Sequence, residues 1–289
     1  MSTPVLVFGG GGQVGRAVVD ELLAAGATVR ATGRDPGRLR LPSTVEKVRA
    51  DLTDPDTLPA ALAGVRKVFL YAVPHGVDNF VAAARDAGVE HVVLLSSDTV
   101  LERIPARKAI ADMHKVVEAA LDASGLATTY LRPDNFAGNV LLWGWAESIR
   151  AEGVVRFAYP ESHSDAIHER DIAAVAAVAL TRPGHEGGRY LITGPESVTQ
   201  RRQAELIAAA IGRPVRVEEL TPEQARQVYA TIVPEWVLDA TLGYWAATDG
   251  VPYEVNDLVR RLTGRSARTF AQWARDHADD FRPSRPNPT

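Results

Sequence analysis

The tightest constraint on this chain is a glycine loop, Gly9-Gly10-Gly11-Gly12-Gln13-Val14-Gly15, set between a short apolar run and an amphipathic one. Val5 to Phe8 predicts a buried strand. Val14, Val18, Leu22 and Ala25 then recur at helical spacing until Gly26 stops the helix. Glycines 10, 12 and 15 fit G-x-G-x-x-G, and glycines 9, 12 and 15 fit G-x-x-G-x-x-G. Between a strand and a helix that pattern suits a dinucleotide pyrophosphate. The chain must turn sharply, show the anion a backbone without Cβ, and aim the free N–H groups of a helix start at it. Gly15, one turn into the helix, lacks the side chain that would hold helix and strand apart. Gly9, Gly10, Gly11, Gly12, Gln13, Val14 and Gly15 are therefore candidate cofactor contacts; a tight turn without a ligand is the plainer alternative.

The rhythm continues past the loop. Thr28–Thr32, Val45–Arg49, Val68–Val73 and Val92–Ser96 read as further strands, separated by helical stretches at Pro55–Ala63 and Asn79–Ala87. Five alternations predict an α/β fold: a Rossmann-type, doubly wound parallel sheet. Ala109–Ser124 predicts a long helix, Thr128–Leu131 a strand, Ile167–Leu180 a helix and Arg189–Thr193 another strand. Beyond Thr199 the pattern is mostly helical, at Arg201–Ile211, Pro222–Ala230, Pro234–Ala247, Val255–Leu262 and Thr269–Phe281, with a Pro214–Glu219 strand between. We expect residues 1–150 to form the nucleotide-binding domain, with strands near 189–194 returning to its sheet. Residues 151–281 would form a smaller, mostly helical substrate-binding cap, and 282–289, with three prolines, a disordered tail.

Composition narrows the function. Net charge is −4 without a run of one sign, which gives no footing for nucleic acid or an anionic membrane. The chain has no cysteine, which excludes disulfides and thiolate chemistry and fits a reducing compartment. The N-terminus lacks the pattern of a signal peptide, and no window reaches the roughly 18 apolar residues of a membrane span. The expectation is a soluble cytoplasmic protein, monomer or homodimer, with a small-molecule partner.

The end of the second strand bears on the cofactor. NAD sites place a carboxylate there for the ribose hydroxyls, whereas NADP sites leave room and supply an arginine. Here the sequence is Thr32-Gly33-Arg34-Asp35, so Arg34 can pair with a 2′-phosphate, and NADP(H) is favoured over NAD(H). Asp35-Pro36 complicates this reading but is also an ordinary turn opening. Asp51 could accept from the adenine amino group with Leu52 against the ring; a capping carboxylate is the alternative. Val73, Pro74, Ser96, Pro133 and Asn135, at the carboxyl edge of the sheet, complete the candidate cofactor contacts.

With these residues in place, the chain resembles the NmrA-like branch of the atypical short-chain dehydrogenase/reductase superfamily. The glycine loop, AGVEHVVLLSS ending at Ser97, His114 with EAALDASGL and LRPDNFAGN beyond it, RDIAAVAAVAL, and LTGRSARTFAQWARDHA carry the resemblance over nearly the whole chain. It implies NAD(P)(H) binding and either a quinone, dye or secondary-metabolite reductase or a redox-sensing regulator. One feature departs: none of the seven tyrosines has lysine four residues on, so the usual Tyr-x-x-x-Lys proton donor is missing.

His114 is the nearest equivalent. It is expected on a helix whose apolar stripe is Met113, Val117 and Leu121, beside Glu118, where it could hydrogen-bond a ribose or polarise a carbonyl as a weak acid. A packing histidine is the alternative. His114 and Ser97 are the candidate catalytic residues, and His75, Phe136 and Trp143 the candidate substrate contacts. Trp145, Trp236, Tyr244 and Trp245 could line an aromatic pocket or pack as core. His163, Asp165, His168, Glu169 and Asp171 crowd one segment but match no metal-ligand spacing, and no metal is expected. These residues favour an NADPH-dependent reductase of a small organic molecule such as a quinone, carbonyl or imine. The alternatives are an NADP(H)-binding sensor, or an isomerase or cyclase on the same scaffold.

Overall fold

A strand that is apolar on both faces must be covered on both, and the computed structural model, which describes residues 3–282, covers them with helices. The strands β1 (Val5–Val7), β2 (Val29–Gly33), β3 (Glu46–Arg49), β4 (Lys67–Tyr71), β5 (His91–Leu95), β6 (Ala127–Pro133) and β9 (Arg189–Ile192) form one sheet in the order β3-β2-β1-β4-β5-β6-β9. Every pairing in it is parallel. On one face, α1 (Gln13–Ala24), α7 (Glu169–Thr181) and α11 (Leu258–Thr263) bury Val18, Leu22, Ile172, Val175 and Val259 against the sheet. The other face is covered by α2 (Leu58–Leu62), α3 (Val77–Asp86) and α4 (Lys108–Ala123), through residues such as Leu62, Phe80, Val117 and Leu121. Strand order reverses between β1 and β4. That reversal opens a crevice at their carboxyl ends, directly above the glycine loop.

A third apolar cluster forms the cap. It joins α5 (Asn139–Leu142), α6 (Trp145–Glu152), α8 (Gln200–Ile211), α9 (Pro222–Tyr229), α10 (Glu235–Thr248), α12 (Phe270–Asp276) and α13 (Ala278–Phe281). Two short pairs complete it: β7 (Val154–Phe157) runs parallel to β11 (Arg216–Glu219), and β8 (His163–Ser164) antiparallel to β10 (Val198–Thr199). Of the segment 151–281, α7, β9 and α11 pack with the sheet rather than with this cap. Among the described residues no helix is long and apolar enough to cross a membrane.

Several local expectations differ from the structure. Met113 is exposed, because α4 turns Ala111, Val117, Glu118 and Leu121 inward instead. The helix expected from Val255 starts at Leu258. Asn256 holds the preceding stretch extended along β9, its N–H donating to Thr193 Oγ1 (2.8 Å) and its amide to the Leu191 carbonyl (3.0 Å). The helix expected over Thr269–Phe281 breaks at His277, whose ring is held by Glu169 (2.8 Å) and Asp280 (3.1 Å). Of the tail expected at 282–289, all but Arg282 lies outside the described residues.

Glu118 ties four elements together. It is buried and accepts from Ser96 Oγ (2.6 Å), Arg132 Nε (2.9 Å) and Arg189 Nη1 (3.2 Å), joining α4 to β5, β6 and β9. Removing it strands the Arg132 guanidinium, only 13% exposed. Glu118→Ala is expected to cost about 3 kcal/mol, read as a lower urea midpoint. An unchanged midpoint would show that the network carries no stability.

Candidate functional site

The crevice above β1 and β4 is an open cleft of about 580 Å³ lined by Gly9, Gly11, Gly12, Gly33, Arg34, Arg38, Asp51 and Tyr71, among others. Its floor needs glycine for steric reasons. Gly9 takes φ +72°, a Cβ on Gly10 would lie 2.9 Å from that of Ala31, and one on Gly15 would lie 2.1 Å from the Gly9 carbonyl oxygen. Gly12 caps α1 without a side-chain hydrogen bond, and the first turn holds no acidic residue. The N–H groups at the start of α1 are thus left for an anion, with the helix dipole behind them. The cradle fits a dinucleotide pyrophosphate. Gln13 begins the helix with its side chain towards Gly138, and Val14 packs partly into the core.

Electrostatics at the end of β2 suit a further phosphate. Arg34 is exposed into the cleft, and among the described residues no carboxylate pairs with it. Asp35 is occupied elsewhere. Its carboxylate accepts from the Gly37 N–H (3.0 Å) and meets Arg38 Nε at 3.2 Å, closing a turn. Arg38 joins Arg34 in the cleft lining, which sequence reasoning missed.

Asp51 also lines the cleft. Its Oδ1 accepts from Thr53 N–H (3.0 Å) and Oγ1 (2.8 Å), and these bonds, the backbone one foremost, hold its pKa below the usual carboxylate value. Leu52 does not face the cleft as expected: it is buried in the core beneath, against Gly76. Tyr71, unanticipated, lays its ring against Gly9.

Further along the carboxyl edge the expected contacts separate. Ser96 gives its hydroxyl to Glu118 and turns away from the cleft. Ser97 Oγ accepts from Thr99 N–H (3.2 Å) and Oγ1 (3.0 Å), which leaves its own proton to donate. Val73 and Pro74 open a short turn in which His75 is exposed. His114 Nδ1 is buried without a partner, and burial pushes the imidazole down to about 4. Near pH 7 the imidazole is therefore neutral, and what it has to offer is its N–H. Glu118 lies near enough to act on the imidazole, as expected, and its carboxylate also anchors the buried network.

Beyond β6, Asn135, Phe136 and Trp143 line a small recess of about 40 Å³ between sheet and cap, with Asn139, Trp145, Gln203, Tyr244 and Trp245. Pro133, the last residue of β6, leads into it. Trp143 packs edge-on against Trp245 and Tyr229, at 5.6 Å from each. Trp236 is exposed and outside the recess.

Behind Asn135 sits a group that sequence reasoning did not assemble. Asp98 and Asp134, both buried, flank Arg107, and the buried Asp165 lies close to the two aspartates. The acidic crowd around His163 disperses: His163 faces Ser197, Asp165 enters this group, Glu169 holds His277, and Asp171 pairs with Arg268. Among the described residues no set of His, Cys, Asp and Glu is arranged to hold a metal.

Comparison with known proteins bears on this geometry. A family model described as NAD(P)H-binding matches residues 9–183. The chain is 39% identical over 284 residues to a (4-alkanoyl-5-oxo-2,5-dihydrofuran-3-yl)methyl phosphate reductase of Streptomyces griseus, covering 96% of this chain and 99% of that one. It is 37% identical over 286 residues to an NAD(P)H azoreductase of Xenophilus azovorans, again covering 96% and 99%. In structure it is similar to the Citrobacter triphenylmethane reductase complexed with NADP(H), with a TM-score of 0.78, 25% identity, and coverage of 95% and 99%.

Two substitutions probe the cleft. Gly15→Ala forces its Cβ onto the Gly9 carbonyl and is expected to weaken NADPH binding by at least about tenfold, read by calorimetry; undiminished affinity would detach the loop from the cofactor. Arg34→Ala is expected to weaken NADPH by about tenfold or more while sparing NADH. Equal losses for the two would remove Arg34 from 2′-phosphate recognition.

Proposed function

The chain belongs to the NAD(P)H-binding family, in its NmrA-like, atypical short-chain dehydrogenase/reductase branch, and from that premise we propose how it works as a reductase of a small organic molecule. NADP(H) is its preferred cofactor. The observation that carries the reading is the uncapped start of α1 over a glycine cradle, opening along the same sheet edge as the aromatic recess.

The first turn of α1 and Gly9 to Gly12 would hold the pyrophosphate, Arg34 and Arg38 the 2′-phosphate, and Asp51 the adenine amino group. Val73, Pro74, Pro133 and Asn135 would border the nicotinamide. NADPH, when bound, supplies the hydride. Ser97 has a hydroxyl proton to give and would donate a hydrogen bond to the substrate atom that gains negative charge. His114, neutral, would orient a hydroxyl rather than protonate a product. Phe136 and Trp143 would flank the substrate, with the cap cluster closing over it; His75 lies at the exposed margin.

Quinones, carbonyls, imines and azo compounds all suit hydride acceptance at such a site. The relatives' names include a phosphate ester as well as an azo substrate. The cysteine-free sequence suits a reducing compartment, and we place the protein in the cytoplasm.

The test is NADPH oxidation, followed by its near-ultraviolet absorbance, across quinones, azo dyes, imines and aromatic ketones. Turnover of at least one class is expected; tight NADPH binding with no turnover of any would favour a cofactor-binding sensor. His114→Ala is expected to lower kcat while leaving NADPH affinity intact. It should leave the pH profile between about pH 6 and 8 unchanged in shape, because the imidazole does not titrate there. Loss of an inflection in that range would restore His114 as an acid.

A further inference from the structure

The break between α12 and α13 falls on a histidine held from two sides. His277 Nε2 lies 2.8 Å from Glu169 Oε1, at the start of α7, and its Nδ1 lies 3.1 Å from Asp280 Oδ2, on α13. An ionised carboxylate only accepts, so each ring nitrogen needs a proton of its own. The ring that satisfies both is the imidazolium. Stacking supports the same state: the ring lies nearly parallel to that of Trp273, at 22° with centres 4.5 Å apart, where an aromatic face receives a cation.

Glu169 is the fixed end of this link. It is buried, and its other oxygen accepts from Trp273 Nε1 (3.1 Å), so one carboxylate grips α12 twice. It also stands in the first turn of α7, where the helix dipole favours negative charge. Two residues earlier, the Ile167 N–H donates to the Asn135 carbonyl (2.8 Å), so the gripped segment is the one paired with the carboxyl edge of the sheet. On the far side of His277, α13 is only four residues long and has no stability of its own. It keeps its place through the Asp280 carboxylate and through Phe281, fully buried with its ring edge-on to Trp273 (6.1 Å).

Other charged groups on the packed elements are engaged elsewhere. On α7, His168 Nδ1 lies 3.2 Å from Glu169 Oε2 but accepts from the Arg170 N–H as the helix cap (3.2 Å), and its Nε2 faces Asp276 (3.3 Å). Arg170 pairs with that same Asp276 (3.2 Å), and Asp171 takes Arg268. On α6, Arg150 pairs with Glu147 (3.0 Å) and donates to the Asp280 carbonyl, while Arg282 pairs with Asp279 (2.7 Å). On α8, Arg202 pairs with Glu205 (2.8 Å) and Arg201 with Glu161 (2.6 Å); Arg275, on α12, is exposed. Among the described residues no arginine or lysine pairs with Glu169 or with the Asp280 carboxylate, which leaves His277 as the cation between them.

We propose that His277 is a charge-operated latch: as an imidazolium it clamps α13 and the end of α12 onto the first turn of α7, and loss of its second proton lets α13 go. The latch concerns how the cap is fastened and stands apart from the reductase reading. Burial works against the charged ring, but the bonds to Glu169 and Asp280 outweigh it and hold the imidazole above the ordinary histidine value. With the folded value raised, the latch contributes fully below about pH 6.5, the unfolded value, and fades as pH rises through the folded one. It is closed in mildly acid solution and opens towards alkaline pH.

The test is nitrogen-15 NMR of the histidine rings in the full-length protein, titrated from about pH 5.5 to 9.5. His277→Gln identifies the signal by its absence. The His277 midpoint is expected at least about half a pH unit above that of free histidine, with both ring N–H groups present below it. Asp280→Asn is expected to lower that midpoint. Hydrogen exchange of α13, read by mass spectrometry and corrected for the intrinsic rate, is expected to rise at least about fivefold through the midpoint. In His277→Gln it is expected to be fast at every pH. A midpoint at or below the free value, a midpoint unmoved by Asp280→Asn, or α13 protection that ignores pH overturns the latch. Where His277→Gln does not fold, the ring's proximity to Trp273 assigns the signal, and the wild-type titration and exchange decide alone.

Discussion

The structure depends on one close approach, that of the first turn of α1 to the turn ending β1. Gly12 N–H donates to the Gly9 carbonyl at 3.0 Å, and the missing side chain of Gly15 is what lets that carbonyl sit where it does. Any Cβ there would push helix and strand apart. The amides at the helix start would then no longer converge on one point, and the cleft between β1 and β4 would lose its anion-binding floor. Arg34, Arg38 and Asp51 matter to a cofactor only because this approach fixes where its pyrophosphate would rest.

Two buried acidic groups at the same sheet edge are treated in opposite ways. Glu118 is fully answered: a serine and two arginines donate to it, and the cost of burying its charge is offset locally. Asp98 and Asp134 share one arginine, and with Asp165 they keep three oxygens without partners. Buried polar atoms are nearly always bonded, so an exception calls for a local cause. The first network holds the scaffold, and lies away from the recess. The second lies directly behind Asn135, where burial pushes Asp98 and Asp165 toward their neutral forms.

The sheet half was largely legible because its signals are local. Continuous apolar strands stop at glycine or proline, and each helix between them shows its period within a dozen residues. The misses have physical causes too. β7 is four residues long and gains its partner, β11, from far along the chain, so no local pattern announces it. Leu52 sits beside Asp51 in sequence, but its side chain belongs to the core under the cleft. Tyr71 was readable in principle. It lies two residues past Phe69, on the strand face towards α1, where β4 outruns its helical cover. The aspartate group was not readable, because its members come from the turns after β5 and β6 and from the approach to α7 and only the fold unites them.

The missing Tyr-x-x-x-Lys pair and the aromatic lining of the recess lead to the same kind of chemistry. A simple ketone that accepts hydride becomes a localised alkoxide and benefits from a strong proton donor as it forms. Here the imidazole is held neutral and Ser97 can offer one hydroxyl hydrogen bond, so the donors at hand are weak. A quinone, azo or iminium acceptor spreads or cancels the incoming charge over its own conjugated system. It needs position more than acid. Such acceptors are planar, a shape that aromatic rings such as Phe136, Trp143 and Trp245 pack against well.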